Sequence, residues 1–204
     1  MKHKIAVENQ LVYFRECLAQ FQTFTDQEWD IFSSAVIPHT LKKKELLFNI
    51  GEVYQSMAFI FDGAVRYFID KDGALLTNYF SFKGEFASAY SSFISGKPGV
   101  VGLAAIEKTQ LLLITKKSLE AFSEIPAIAL KAEQMRRRIA EHYILCYEER
   151  IGTFLLKSPE ERYLSLLNSG GEIFQKIPQH YLANYLGITA VSLSRIRNRS
   201  MGRA

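Results

Sequence analysis

Residues 177–199 read IPQHYLANYLGITAVSLSRIRNR, a pattern that suits two short helices crossed over a glycine. Leu182, Ala183 and Leu186 share one face of the first helix, and Val191 or Leu193 with Ile196 continue that apolar face on the second. Gly187 supplies the left-handed residue that turns the chain between them, and Ile188 fills the corner. Ala183 is small where two steeply crossed helices come closest. Thr189 is placed to cap the second helix and to direct its first N–H groups outward.

A helix pair of this kind lays its second helix in the major groove of DNA. The face left over for the duplex holds Ala190, Ser192, Arg195 and Arg199. Arg195 is the candidate base reader, because a guanidinium fork bonds both acceptors on a guanine edge. Ala190 and Val191 can touch a thymine methyl, while Gln179, His180, Arg197 and Arg203 suit phosphates, which give affinity without sequence information. Charge points the same way. The chain carries a formal +4, and from Ile151 onward seven basic residues face three acids, so this segment holds the whole excess. Beyond Gly187 stand four arginines and no acid, as on a polyanion-binding surface.

Moving toward the N-terminus, Ser158-Pro159-Glu160-Glu161 is a helix start, with serine at the cap and proline in the first turn. That helix is expected to run to about Asn168, to stop at Ser169-Gly170-Gly171, and to lead through a connector past Phe174. Before it lies a long helical stretch from about Pro126 to Lys157. Ile128, Ala132, Met135, Ile139, His142 and Cys146 recur there at alternating steps of four and three, the spacing of an a/d seam. Two uses fit this stripe: a seam between two copies of the chain, or packing onto its own domain. Arg136, Arg137 and Arg138 read as its solvated flank.

The first forty residues read as helices. Val7 to Ala19 is amphipathic, Thr25-Asp26-Gln27-Glu28 has capping-box spacing before Trp29, and Pro38 is expected to end the segment. From Leu41 to about Ile114 the texture changes to short β-branched and aromatic runs. These are Leu46–Ile50, Ala58–Phe61, Val65–Ile69, Leu75–Phe82, Val100–Ile106 and Gln110–Ile114, divided by turns such as Asp62-Gly63, Asp70-Lys71-Asp72-Gly73 and Lys83-Gly84-Glu85. Strands and turns at this spacing make a sandwich or barrel, not a parallel sheet. The resulting division is a β-domain with N-terminal helices over 1–124, a long helix over 125–157 and a helix-turn-helix domain over 158–204.

Several classes of function find no support. Cys17 and Cys146 are too few and too far apart for a disulfide framework, zinc site or iron-sulfur cluster, and His3, His39, His142 and His180 are scattered. No Gly-x-Ser-x-Gly elbow, Walker loop or dinucleotide fingerprint occurs, so an enzyme is not expected. No run of eighteen apolar residues and no signal-peptide core appear, so a cytoplasmic protein without membrane contact is expected.

With the order β-roll, long helix, helix-turn-helix established, the sequence resembles the CRP/FNR family of bacterial transcription regulators over essentially its whole length. The resemblance is carried by LFNIGEVYQSMAFIFDGAVRYFIDKDG (Leu47 to Gly73), by Lys83-Gly84-Glu85-Phe86 and by the ITAVSLSRIR segment. It implies an α+β chain: a double-stranded β-helix, or jelly roll, like a cyclic-nucleotide-binding domain, then a long dimerisation helix, then a winged-helix-like helix-turn-helix. The wing would be minimal or absent, because five residues follow Arg199. It further implies a homodimer on a palindromic operator, contact with RNA polymerase, and an effector in each roll that favours one arrangement of the two heads.

Departures from the family pattern bear on the effector. In nucleotide-binding members a Gly-Glu pair opens a phosphate cassette that an arginine closes, whereas here Gly84-Glu85 is followed by Gly99-Val100-Val101 and no arginine lies between Arg66 and Arg136. Cyclic AMP is therefore disfavoured. Gly84, Glu85, Tyr90, Ser91, Ser92 and Lys97 are the residues that would line a site for a different small molecule, or an occluded roll. Haem and iron-sulfur ligand sets of other family branches are not found. The DNA contacts assigned are Gln179, Thr189, Ala190, Val191, Ser192, Arg195, Arg197 and Arg199. The competing reading is a ligand-binding or protein-interaction module whose terminal helices only dock a partner.

Overall fold

The computed structural model describes residues 2–201, without the side chains of 2–6, 169–176 and 201. Helices α1 (Lys2–Leu18) and α2 (Asp26–Ser33) come first. Strands β1 (Ile37–Leu41), β2 (Leu46–Phe48), β3 (Ser56–Asp62), β4 (Ala64–Lys71), β5 (Ala74–Phe82) and β6 (Phe86–Ala87) follow. After α3 (Tyr90–Ser95) come β7 (Gly102–Ala105), β8 (Thr109–Thr115), α4 (Lys116–Ala121), α5 (Ala129–Leu156), α6 (Pro159–Lys176), α7 (Gln179–Leu186) and α8 (Ala190–Met201).

The strands form two four-stranded sheets, β1-β8-β3-β6 and β2-β7-β4-β5, with antiparallel pairing, which is the expected jelly-roll arrangement. At its centre Met57 lies opposite Ile114 and Phe59 opposite Leu112, all four buried, and β3 is covered on both faces, since Ala58 and Ile60 are buried as well. The turn joining β4 to β5 is fixed by Asp70, whose carboxylate accepts from the Gly73 N–H at 2.7 Å. Gly63 is required between β3 and β4, since a β-carbon there would meet the Lys108 carbonyl at 2.8 Å while φ is +93°. Phe14 ties α1 to the roll: it is fully buried, its ring 4.6 Å from Phe59 and 5.9 Å from Trp29. Burial of a ring of this size stabilises by about 1.5–3 kcal/mol. The capping box at Thr25 and Glu28 forms as the spacing requires.

The chain forms two compact units, one from Met1–Tyr67 and Phe80–Glu141, the other from Phe68–Tyr79 and His142–Ala204. Helix α5 contributes to both. In the first unit its apolar stripe corrects the sequence reading: Ile128, Ala132, Met135 and Ile139 are each at most 1% exposed within the single chain, so they cannot form a seam between copies. The α1–α2 segment holds that part of α5 down through Arg138 to the Phe21 carbonyl (2.6 Å) and Lys131 to Glu28 (2.6 Å). Of the assigned seam, only the exposed His142 and the half-exposed Cys146 are left, their side chains 3.5 Å apart.

Three other expectations are corrected. Pro38 does not end a helix but sits in β1, an edge strand, where its missing N–H interrupts no interior ladder. Helix α6 does not stop at Ser169-Gly170-Gly171 and no connector passes Phe174; the helix continues to Lys176. Glycine keeps its N–H and costs a helix only about 1 kcal/mol, which the buried Tyr163 near one end and Ile177 just past the other can offset. The two-residue β6 and short α3 lie in a region the sequence left without elements. Among the described residues no helix is long and apolar enough to cross a membrane.

Candidate nucleic-acid interface

In the second unit, α6 begins with a complete capping box: Ser158 accepts from the Glu161 N–H, the Glu161 carboxylate accepts from the Ser158 N–H at 2.7 Å, and Pro159 follows the cap. Helices α7 and α8 then pack through Leu182, Ala183, Leu186, Leu193 and Ile196, each at most 6% exposed. Leu193, and not Val191, carries the core on α8; Val191 is 62% exposed. Gly187 adopts φ +68° and ends α7, its N–H bonded to the Asn184 carbonyl at 2.9 Å. Thr189 Oγ1 accepts from the Ser192 N–H at 3.1 Å and lies 3.0 Å from the Ser192 hydroxyl.

This packing leaves one face of α8 to solvent. Thr189, Ala190, Val191, Arg195 and Arg199 are exposed along it, with Ser192 and Arg197 half-exposed and Gln179 and His180 exposed at the start of α7. Arg199 pairs with Glu160 of α6 at 3.3 Å while staying 59% exposed, and among the described residues Arg195 makes no ion pair. A pair this exposed is worth about 0–1 kcal/mol, so a phosphate can compete for Arg199. Ala190, Val191, Arg195 and Arg199 therefore share one side of α8 beside its capped start, whereas Arg197, two residues and so about 200° round from Arg195, falls on the side of Leu193, and Gln179 stands apart at the start of α7. Arg203 lies outside the described residues, and among those described no strand follows α8.

The residues assigned to an effector are less united. Gly84 and Glu85 sit in the β5–β6 turn against α1, where a β-carbon on Gly84 would stand 3.0 Å from the Tyr13 hydroxyl. The Glu85 carboxylate accepts from the Phe82 N–H at 3.0 Å and so closes its own turn. Tyr90, Ser91 and Ser92 belong to α3, with Lys97 in the turn that follows. Ser92 is buried and occupied: it accepts from the Tyr54 N–H at 3.0 Å and donates to the Lys97 carbonyl at 2.7 Å. At position 99 there is no space for a side chain, since a β-carbon would lie 2.8 Å from Phe48.

Sequence reasoning missed a polar patch inside the roll. Tyr54 and Ser88 are 6% and 1% exposed, and neither hydroxyl has a hydrogen-bond partner. Beside them the Tyr67 hydroxyl accepts from the Ser88 N–H at 3.3 Å and lies 3.1 Å from the Ser81 hydroxyl. Burial, with Tyr67 nearby, pushes the Tyr54 phenol above its ordinary pKa and keeps it a neutral donor. Tyr54 and Ser88 lie outside the strands, just before β3 and just after β6, so strand alternation carries no signal for them, and Tyr67 and Ser81 alone read as ordinary inward-facing strand residues. Among the described residues no group of three or more His, Cys, Asp or Glu is placed to hold a metal ion.

No protein-family model matches the chain, and no curated protein matches it. Solved structures do. FixK2 from Bradyrhizobium japonicum aligns at 20% identity over 82% of this chain and 85% of that one, with a TM-score of 0.66. The c-di-GMP responsive global regulator CLP of Xanthomonas campestris aligns at 15% identity over 85% and 90%, with a TM-score of 0.68. A chain from Eubacterium rectale, described as a transcriptional regulator of the crp/fnr family, aligns at 20% identity over 88% and 85%, with a TM-score of 0.63. The chain has the fold these proteins share.

Proposed function

We propose that this chain, folded like the CRP/FNR regulators, is a sequence-specific DNA-binding transcription regulator that acts as a homodimer and answers to a small molecule other than cyclic AMP. The observation that carries this reading is the outer face of α8. Arg195 stands exposed there, beyond a Thr189-capped helix start and above a core closed by Leu193 and Ile196. Inserted into a major groove, Arg195 reads a guanine edge and Ala190 and Val191 meet methyl groups. Gln179, Thr189, Ser192, Arg197 and Arg199 fix the helix on the backbone.

A dimer seam is supported by the second half of α5 instead of the first. Ile144, Ile151 and Leu155 are 57%, 59% and 78% exposed and recur at steps of seven and four, as one side of a coiled coil does. Joined there, two heads would address a twofold operator with half-sites about one DNA turn apart. In this reading the roll serves as the sensor. Tyr54 and Ser88 supply hydroxyls that a neutral polar ligand would satisfy, and no arginine stands between Arg66 and Arg136 to hold a cyclic phosphate. RNA polymerase would be the protein partner, and the site of action the cytoplasm.

The test is selection of bound fragments from a random duplex library by the purified chain at moderate salt. Enrichment of one palindromic sequence supports the reading; recovery of an unbiased library contradicts it.

A further inference from the structure

We propose that a cavity in the second unit, walled by α5, α6 and α7, binds the phosphate group of a small metabolite through Arg150 and Arg162. The cavity measures about 420 Å³, room for a phosphate with an organic body, and its wall includes Arg150, Lys157, Arg162, Ser165 and Tyr185. Arg162 is 8% exposed. One end of its fork donates to the Phe154 and Lys157 carbonyls at 3.3 and 3.1 Å, while its Nε is buried with no hydrogen-bond partner. An unbonded donor on a buried cation is a cost that an incoming oxyanion removes.

Arg150 is fixed for the same task. Its guanidinium lies 3.6 Å from the Tyr185 ring centre and 4.3 Å from that of Phe154, and it donates to the Asn78 carbonyl at 3.3 Å and to the Tyr185 carbonyl. Arg162 stacks on the same Phe154 ring at 4.6 Å, so two like charges share one aromatic side chain. Burial, and repulsion from Arg162, both lower the pKa of Arg150. Lys157 adds a third cation, bonded to Ser165 at 3.0 Å. Among the described residues none of the three is in an ion pair, and Glu149 is the one carboxylate on the wall. Three cations against one acid leave two positive charges, which a phosphate monoester neutralises and a single carboxylate does not. Because Phe154 also seats Gly187, an occupant would stiffen the support of α7 and α8. That consequence rests on the regulator reading; the binding itself does not.

Calorimetric titration of the full chain with inorganic phosphate, against acetate and chloride at equal ionic strength, tests the site without DNA. One saturable phosphate site per chain is expected, weakened about tenfold or more by Arg162→Met. Arg162→Lys keeps the charge but loses the Nε–H, and it should weaken binding to a similar degree, which guards against a variant that merely misfolds. Phosphate heats no larger than those of chloride, acetate binding as tight as phosphate, or wild-type affinity in Arg162→Lys would each overturn the assignment. The regulator reading would stand in any of these cases, and a failure to bind DNA would leave this site untouched.

Discussion

A β-carbon on Gly187 would lie 2.7 Å from Cε1 of Phe154, so the turn between α7 and α8 rests directly on a ring of α5. Gly187→Ala must therefore bear both the left-handed φ of +68° and a displaced Phe154. The first cost alone is about 1–2 kcal/mol. Differential scanning calorimetry is expected to show a lowered melting transition for the second unit, with the first little changed; an unaltered transition would remove this contact from the account.

Thr189→Val keeps the shape of the cap and deletes its acceptor for the Ser192 N–H. Loss of such a cap costs about 1 kcal/mol. Amide hydrogen exchange over the first turn of α8 should speed up about fivefold, and operator affinity should fall by a similar factor.

The dimer is expected to form on Ile144, Ile151 and Leu155. Ile151→Glu places a charge on that stripe, so sedimentation at micromolar concentration should shift from dimer to monomer. Ile139→Val, at a fully buried position on the same helix, should instead lower stability by about 0.5–1.5 kcal/mol and leave the dimer intact. The opposite pattern would restore the seam read from the sequence.

Lys131 donates to Glu28 and, together with the Thr25 N–H, holds that carboxyl below its ordinary pKa. A depressed pKa means that the folded state binds its proton later than the unfolded chain does, so the contribution to stability is present above the ordinary glutamate pKa of about 4.3 and is lost as pH falls below it. Glu28→Gln should thus melt earlier than wild type at neutral pH, and the gap should close in acid. A gap that stays constant across the titration would mean that charge is not its cause.

Much of this molecule was legible in the sequence because strong local signals agreed with the fold. Gly187, Thr189 and the Leu182–Ile196 set define the helix pair, and Ser158-Pro159 defines the start of α6, by chemistry confined to a few neighbouring residues. What failed depended on distant partners. Periodicity showed that Ile128 to Ile139 forms a stripe but not that α1 and α2 would cover it. Gly170-Gly171 looked like a terminator because propensity is weak beside packing at both ends of a helix. The unpartnered Tyr54 and Ser88 lie far apart in sequence and outside the strands, and only the folded roll brings the Ser88 N–H to the Tyr67 hydroxyl.

Whether Arg195 on the outer face of α8 reads sequence is decided by a fluorescence-anisotropy titration of the selected operator and a scrambled duplex with wild type and Arg195→Ala. Wild type is expected to prefer the operator, and Arg195→Ala to lose about 1–3 kcal/mol on the operator while binding to the scrambled duplex changes far less. Equal affinity of wild type for both duplexes, or an Arg195→Ala variant with unchanged preference, would contradict that role.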